Sequence, residues 1–398
     1  MTVLTLACGL AFYLAWNLGA NDVANSMGTS VGSKALTLGQ AILLAGVLEF
    51  TGAVLFGRQV ISTLTHGVVD LELFRSQPQL LILGMVSVLL TCGIWLQFAT
   101  WQGWPVASSH ATVGAIAGMS FTAFGLRTVH WFVIGLISLT WILTPLFSGL
   151  LAALFYFVIK RNILEHPQLL EEWLPWLSTG VCIIIGLAVL PLFADVTGGI
   201  PGGAFTVALG GAIIFTFFQW SKLDSQPESA VDSQMGRFQV LSACMVAFAH
   251  GSNDVGNAVA PLAAITVLYS THHVPTDDVS VPLWILGLGG FGLTAGLAIS
   301  GRKVISTVGE QIIPLQTSSG FSAELATATT VLLSSHFGLP VSTTHALIGG
   351  VVGTGIVQDW RIIQLSTLRQ IGLAWVLTVP CSIAFSALIF LGLRQCVL

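Results

Sequence analysis

The sequence predicts an all-α polytopic membrane protein built from two repeats, and three observations predict it. Only 8% of the 398 residues are charged while 54% are hydrophobic. A soluble domain carries roughly 25% charged residues, so this chain cannot coat itself for water. Apolar runs such as 131–159 and 181–193 match the demand of a bilayer, which takes about 20 mainly apolar residues per spanning helix. β-barrel alternation is absent. The third observation is internal recurrence. Gly19-Ala20-Asn21-Asp22-Val23-Ala24-Asn25-Ser26 returns as Gly251-Ser252-Asn253-Asp254-Val255-Gly256-Asn257-Ala258. Trp104-Pro105-Val106-Ala107-Ser108-Ser109-His110-Ala111 returns, in the same order and at nearly the same separation, as Leu339-Pro340-Val341-Ser342-Thr343-Thr344-His345-Ala346. Two unrelated polar motifs repeated together mark a duplication.

In chain order, 2–18 is apolar but short and runs straight into the first motif. No basic region precedes it, so it reads as a retained segment rather than a cleaved signal. Residues 36–56 span and carry one carboxylate, Glu49. The mixed stretch 57–74 reads as a surface or interfacial piece. Residues 80–100 span, and 105–124 follows at once, rich in Gly, Ala and Ser. The long run 131–159 is expected to bend at Pro145. A polar loop at 160–172 leads to a span at 173–193, a turn-rich loop at 195–203 and a span at 205–220.

Residues 221–237 are the longest hydrophilic stretch. The chain therefore divides into an N-terminal transmembrane repeat 1–220, a central hydrophilic linker 221–237 and a C-terminal transmembrane repeat 238–398. The second repeat replays the first. A short apolar piece, 238–250, leads into the second motif. A span at 282–300 precedes Gly301-Arg302-Lys303-Val304-Ile305-Ser306-Thr307, which echoes Gly57-Arg58-Gln59-Val60-Ile61-Ser62-Thr63. Residues 321–336 carry Glu324, then 340–357 and 373–393 close the chain. The net charge of −4 has little to say about partners, because the few charges sit mostly in loops. The six cysteines show no metal or redox spacing; five lie in apolar runs, where a small hydrophobe is the expected role.

Several segments are too short to cross alone. In hydrocarbon, irregular backbone is tolerated only inside protein or beside a water-filled cavity. Gly- or Pro-interrupted segments at matching positions of two halves point to a transporter's midplane site. On that basis 19–32 and 251–261 are expected to be broken helices. Residues 105–118 and 340–353 are expected to be hairpin tips, each a Pro turn followed by hydroxyls and a small-residue helix. Such a tip gathers free N–H groups and hydroxyls near a positive helix N-terminus, which is an anion cradle.

Plainer readings compete. Membrane Ser and Thr often only glue helices together, and for Ser108-Ser109 alone that reading wins. Recurrence beside Pro and before His in both halves reverses it. His110 and His345 stay open between packing and substrate contact, and Asn21, Asn25, Asn253 and Asn257 between interhelical bonding and ligation. Asp22 and Asp254 are harder to dismiss. A mid-membrane carboxylate costs about 2.5–3.5 kcal/mol on insertion scales and is functional by default; Glu49 and Glu324 earn a weaker form of that inference.

The three repeated motifs resemble the inorganic phosphate transporter family of secondary phosphate permeases, which also has sulfate-carrying members. The resemblance covers both halves. It implies two inverted repeats, about twelve transmembrane segments, two re-entrant hairpins, a homodimer, and a cytoplasmic side for the central linker. The large central soluble loop of animal members is missing. One departure matters: the first motif continues Asn25-Ser26-Met27-Gly28, the second Asn257-Ala258-Val259-Ala260-Pro261, so the two ion environments differ.

The residues then suggest a mechanism. A divalent oxyanion facing Asp22 and Asp254 gathers about four negative charges in low dielectric, where each pair repels strongly. No Lys or Arg lies within either motif, so cations must enter with the anion. Asn carbonyls and carboxylates are hard oxygen ligands suited to Na⁺. Asn21, Asp22, Asn25, Asn253, Asp254 and Asn257 are thus expected to hold sodium, with Asp22 and Asp254 also touching substrate. Ser108, Ser109, Ser342, Thr343 and Thr344 are expected to donate to the oxyanion. Proton coupling through His110, His345, Glu49 or Glu324 is the rival. Phosphate near neutral pH carries a proton that a carboxylate can accept, whereas sulfate offers none, so phosphate is preferred over sulfate. The expectation is a sodium-coupled phosphate importer in a cell membrane, in contact with lipid but not nucleic acid. An intramembrane aspartyl enzyme would leave the amides and the hydroxyl hairpins without purpose.

Overall fold

The computed structural model describes residues 2–197, 201–222, 227–274, 281–302, 305 and 313–397, with side chains left aside at 66, 187–197, 201–209 and 227–229. Glu310, most of the second Gly-Arg-Lys echo and part of the 195–203 turn lie outside the described residues. The described chain is helical, with one isolated bridge pairing Val69 and Val129. Thirteen α-helices are named here: α1 Thr2–Gly32, α2 Leu38–Phe56, α3 Arg58–Ser62, α4 Pro78–Gln102, α5 Ser108–Phe124, α6 Trp131–Ile159, α7 Leu170–Thr197, α8 Pro201–Trp220, α9 Pro227–Thr271, α10 Leu283–Ser300, α11 Thr317–His336, α12 Thr343–Asp359 and α13 Leu365–Val397. Among the described residues, seven segments are long and apolar enough to cross a membrane. The rest of the expected dozen are too short, as α5 and α12 are, or carry the polar motifs, as α9 does. The protein is a multi-pass membrane protein.

The expected breaks at 19–32 and 251–261 do not occur. Both Asn-Asp motifs lie inside continuous helices, α1 of 31 residues and α9 of 45 residues. The glycines that suggested unwinding serve close packing instead. A Cβ on Gly19 would lie 2.0 Å from the Leu293 carbonyl oxygen of α10, and one on Gly251 would lie 2.0 Å from the Glu49 carbonyl oxygen of α2. Backbone therefore touches backbone at each crossing, the small-residue device of membrane helix pairs. Residues 227–237, read above as linker, form the first turns of α9, while 223–226 lie outside the described residues.

Packing repeats by exchange. α1 lies on α10 as α9 lies on α2, and α1 and α9 cross each other at the centre. α4 and α5 form one helical hairpin, α11 and α12 the other. Each hairpin leans on a long helix of the opposite half: α5 on α13, α12 on α6. The two halves are interlocked. The hairpin tips turn inside protein, with Val106, Ala107, Val341 and Ser342 buried. The 57–74 stretch is not a surface piece: Val60, Ile61, Leu64, Val68 and Phe74 pack into the core.

Candidate functional site

The crossing of α1 and α9 carries both carboxylate motifs to the middle of the molecule. Asp22, Asn21, Asn25, Asp254, Asn253 and Asn257 are all at most 1% exposed. The two copies are held alike. Asn21 Nδ2 donates to Thr100 Oγ1 and to the Trp104 carbonyl, both at 3.1 Å. Asn253 Nδ2 donates to the matching pair, Ser335 Oγ at 2.8 Å and the Leu339 carbonyl at 3.3 Å. Each of these asparagines ties its motif to the turn of its own hairpin. One turn on, Asn25 Nδ2 donates to Asp22 Oδ1 and Asn257 Nδ2 to Asp254 Oδ1, both at 3.1 Å.

All four asparagines thus spend their N–H groups on protein. Their four Oδ1 atoms, and Asp22 Oδ2, are buried without a hydrogen-bond donor. Buried polar atoms are normally paired. Unpartnered acceptor oxygens within the two motifs are hard ligands with no proton to share, a donor set that suits a small cation such as Na⁺.

The hairpin hydroxyls divide into two kinds. Thr343 Oγ1 donates to Asp254 Oδ2 at 2.9 Å. Thr344 Oγ1 accepts from Asn25 Nδ2 at 2.8 Å and donates to the Val106 carbonyl at 3.4 Å, which joins the second hairpin to the first motif and the first hairpin's tip. Ser342 Oγ caps α12 by accepting from the His345 N–H at 3.2 Å. These three, expected to donate to an anion, are engaged with protein. On the other hairpin Ser109 Oγ is buried and unpartnered. Ser108 beside it opens α5, whose N-cap residue, Ala107, has no capping side chain. The first hairpin offers the freer cradle.

Two histidines weighed as substrate contacts pack elsewhere. His110 stacks on Trp141 at 3.8 Å between ring centroids and His345 on Trp375 at 3.6 Å, with the two imidazoles 4.6 Å apart. His345 Nδ1 also lies 2.9 Å from the Trp141 carbonyl.

The residue that sequence reading missed is His250. Its Nε2 lies 3.2 Å from Asp254 Oδ2 and 3.8 Å from Asp22 Oδ2, and its Nδ1 lies 3.2 Å from Glu49 Oε1. One imidazole therefore joins three carboxylates. Atoms of Asp22, His250 and Asp254 come within 4.8 Å of one another, close enough to share one cation. Glu49 also accepts from Ser26 Oγ at 3.1 Å. The signal for His250 was its place four residues before Asp254, on the same helical face, where the first copy has Leu18. Its partner breaks the repeat too: Gly19 abuts Leu293 where Gly251 abuts Glu49.

Glu324 lies in a separate polar cluster between α1, α9 and α11. It accepts from Thr29, from Ser30 and Ser242 at 2.6 Å each, and from Gln239 at 3.3 Å.

A helical membrane chain with paired carboxylates and cradled hydroxyls at its centre has the architecture of a solute carrier. Residues 18–386 match the model of the phosphate transporter family, and the chain belongs to that family. It is 36% identical to the chloroplastic inorganic phosphate transporter 2-1 of Arabidopsis thaliana, over 93% of this chain and 68% of that one. It is 37% identical to a protein of Pyrococcus abyssi named as a phosphate permease, over 98% and 96% of the two chains. A solved structure titled as the sodium-dependent phosphate transporter superposes with a TM-score of 0.92 at 36% identity, covering 100% of both chains.

Proposed function

We propose that the protein moves inorganic phosphate across a cell membrane together with sodium ions, by alternating access between the repeats 1–220 and 238–398 joined through 221–237. The observation that carries this reading is the set of unpartnered acceptors: Asn21, Asn25, Asn253 and Asn257 Oδ1, with Asp22 Oδ2, around Asp22 and Asp254. Sodium supplies positive charge where three carboxylates and one imidazole otherwise leave an excess of negative charge. Phosphate is excluded from such a centre by repulsion until that charge is met, and this couples the two solutes. Ser108, Ser109 and the uncapped start of α5 receive the oxyanion first. Thr343 and Thr344 contribute from the second hairpin, exchanging protein acceptors for phosphate oxygens, Ser342 donates its own hydroxyl proton while its oxygen caps α12, and Asp22 and Asp254 take part on either side. Sulfate carried at the same cradle is the nearest alternative substrate. The protein works as a homodimer in this reading.

A second coupling scheme has its own observation. His250 bridges Asp22, Glu49 and Asp254, so a proton carried there would replace one positive charge. The test is uptake of labelled phosphate and sulfate by purified protein in liposomes, with sodium and pH gradients imposed separately. Phosphate uptake driven by sodium is the expected result, and Asp22→Asn should weaken uptake and its sodium dependence together. Uptake driven by a pH gradient alone, or a preference for sulfate, would overturn the assignment.

A further inference from the structure

The polar character of α1 does not end at its motif. Ser26, Thr29, Ser30 and Ser33 continue from Asp22 at spacings of three and four, so they share a face of the helix. Their hydrogen bonds fall in two groups: Ser26 to Glu49 and, further along, Thr29 and Ser30 to Glu324, with Ser33 donating to Gln239 at 2.6 Å, which in turn donates to Glu324. From Asp22 to Ser33 this polar file runs about 16 Å along the helix axis at 1.5 Å per residue. The matching positions of α9 are Ala258, Pro261, Leu262 and Ile265. The polar face of α1 is thus not repeated on α9.

At the far end of this file lies a cavity of about 420 Å³ lined by Ser33, Lys34, Asp232, Ser233, Arg237 and Thr317, among others. It has two cationic side chains, neither in an ion pair among the described residues. Among the described residues Arg237 donates to the Lys222 carbonyl, at 3.4 Å, and Asp232 is engaged by the Thr317 hydroxyl at 2.8 Å. Lys34 sits at φ 66°, just past the end of α1, where the Leu36 N–H returns to the Ser30 carbonyl. Glycine is the low-cost residue at such a helix end. The sequence instead spends a strained backbone position on a cation at the cavity.

We propose that this cavity is an anion-collecting mouth, a second site at which a phosphate oxyanion is held by Lys34 and Arg237 on its approach to the central cradle. The proposal rests on the phosphate reading above. Cations in a concave polar mouth raise the local concentration of an anion and speed its capture, an effect that salt screens. Two sources can supply the oxyanion, dissolved phosphate or a lipid headgroup, and the experiment separates them.

Full-length wild type, Lys34→Gly, Arg237→Gln and the double variant are reconstituted in phosphatidylcholine vesicles, with and without phosphatidylglycerol. Phosphate influx and efflux are measured at low and high ionic strength. Lys34→Gly suits the backbone better than the native residue, so the fold is retained, and an unchanged maximal rate verifies that. The double variant should raise the half-saturating phosphate concentration about 3–10-fold at low ionic strength, in phosphatidylcholine alone, with the difference closing at high salt. An unchanged constant, or a change that high salt leaves in place, would overturn the mouth while leaving phosphate transport standing. An effect confined to vesicles with phosphatidylglycerol would assign the cavity to a headgroup and overturn the substrate role. Wild type that moves no phosphate would count against the parent reading, and with it this one.

Discussion

His250 shows how far single residues depart from the repeat that carries them. Its neighbours Asp22, Glu49 and Asp254 are buried acids within 3.2–3.8 Å, and removing one partner of a buried charged group costs about 3–5 kcal/mol because the other is left uncompensated. The first half has Leu18 and Leu293 at the matching positions, both buried in one apolar cluster. His250→Leu alone should therefore unfold at lower temperature than His250→Leu combined with Glu49→Leu, which imports that apolar solution. Thermal unfolding in detergent measures it; equal losses would show the pair to be uncoupled. Asp22, Asp254 and the four motif asparagines were legible in the sequence because they recur. His250 and Glu49 act as a pair that recurs nowhere, so repetition concealed what it had elsewhere revealed. The fate of Thr343, Thr344 and Ser342 was also illegible, since a hydroxyl beside Pro reads alike whether it faces a ligand, a carboxylate or a helix N-terminus.

At the scale of elements, the glycines of the motifs mislead in an instructive way. Gly19 and Gly251 look like helix breakers, but their missing side chains admit the backbone of α10 and α2. A local cue for unwinding and a tertiary cue for close approach are the same letter. Gly251→Val, which places branched carbons where 2.0 Å separates the Cβ position from the Glu49 carbonyl oxygen, should abolish folded, monodisperse protein on size-exclusion chromatography. Gly39→Ala, in the first turn of α2 with nothing within 4 Å, should be silent. Similar behaviour of the two variants would refute the crossing. Helix length was read less well than helix existence: the apolar piece 238–250 and the expected break at 251–261 are parts of one 45-residue helix, because the polar motif finds partners remote in sequence.

Across the whole molecule, the exchanged packing makes each half dependent on the other. α5 lies on α13 and α12 on α6, so a separated half would expose the Gly-rich faces of its hairpin. Residues 1–220 and 238–398 expressed alone should aggregate or be degraded, and co-expressed they should co-purify on a tag carried by either. Stable, monodisperse single halves would contradict the interlock. The duplication itself was plain from sequence, and so was the membrane. The exchange was not, because nothing in the spacing of the motifs says which hairpin rests on which long helix.

The one-sided hydroxyl file of α1 has a consequence for energetics. A carrier whose halves were identical would rest equally well facing either compartment, and its inward and outward half-reactions would be mirror images. Here Ser26, Thr29, Ser30 and Ser33 stand where the second copy has Ala258, Pro261, Leu262 and Ile265, and Glu324 accepts from Thr29 and Ser30 of the first set. Opening toward the polar side exposes groups that water stabilises; opening toward the apolar side exposes carbon. On the alternating-access reading proposed above, the resting conformation is biased toward one face before any gradient is applied, and the bias is written into three side chains of α1 and Ser33 just past its end.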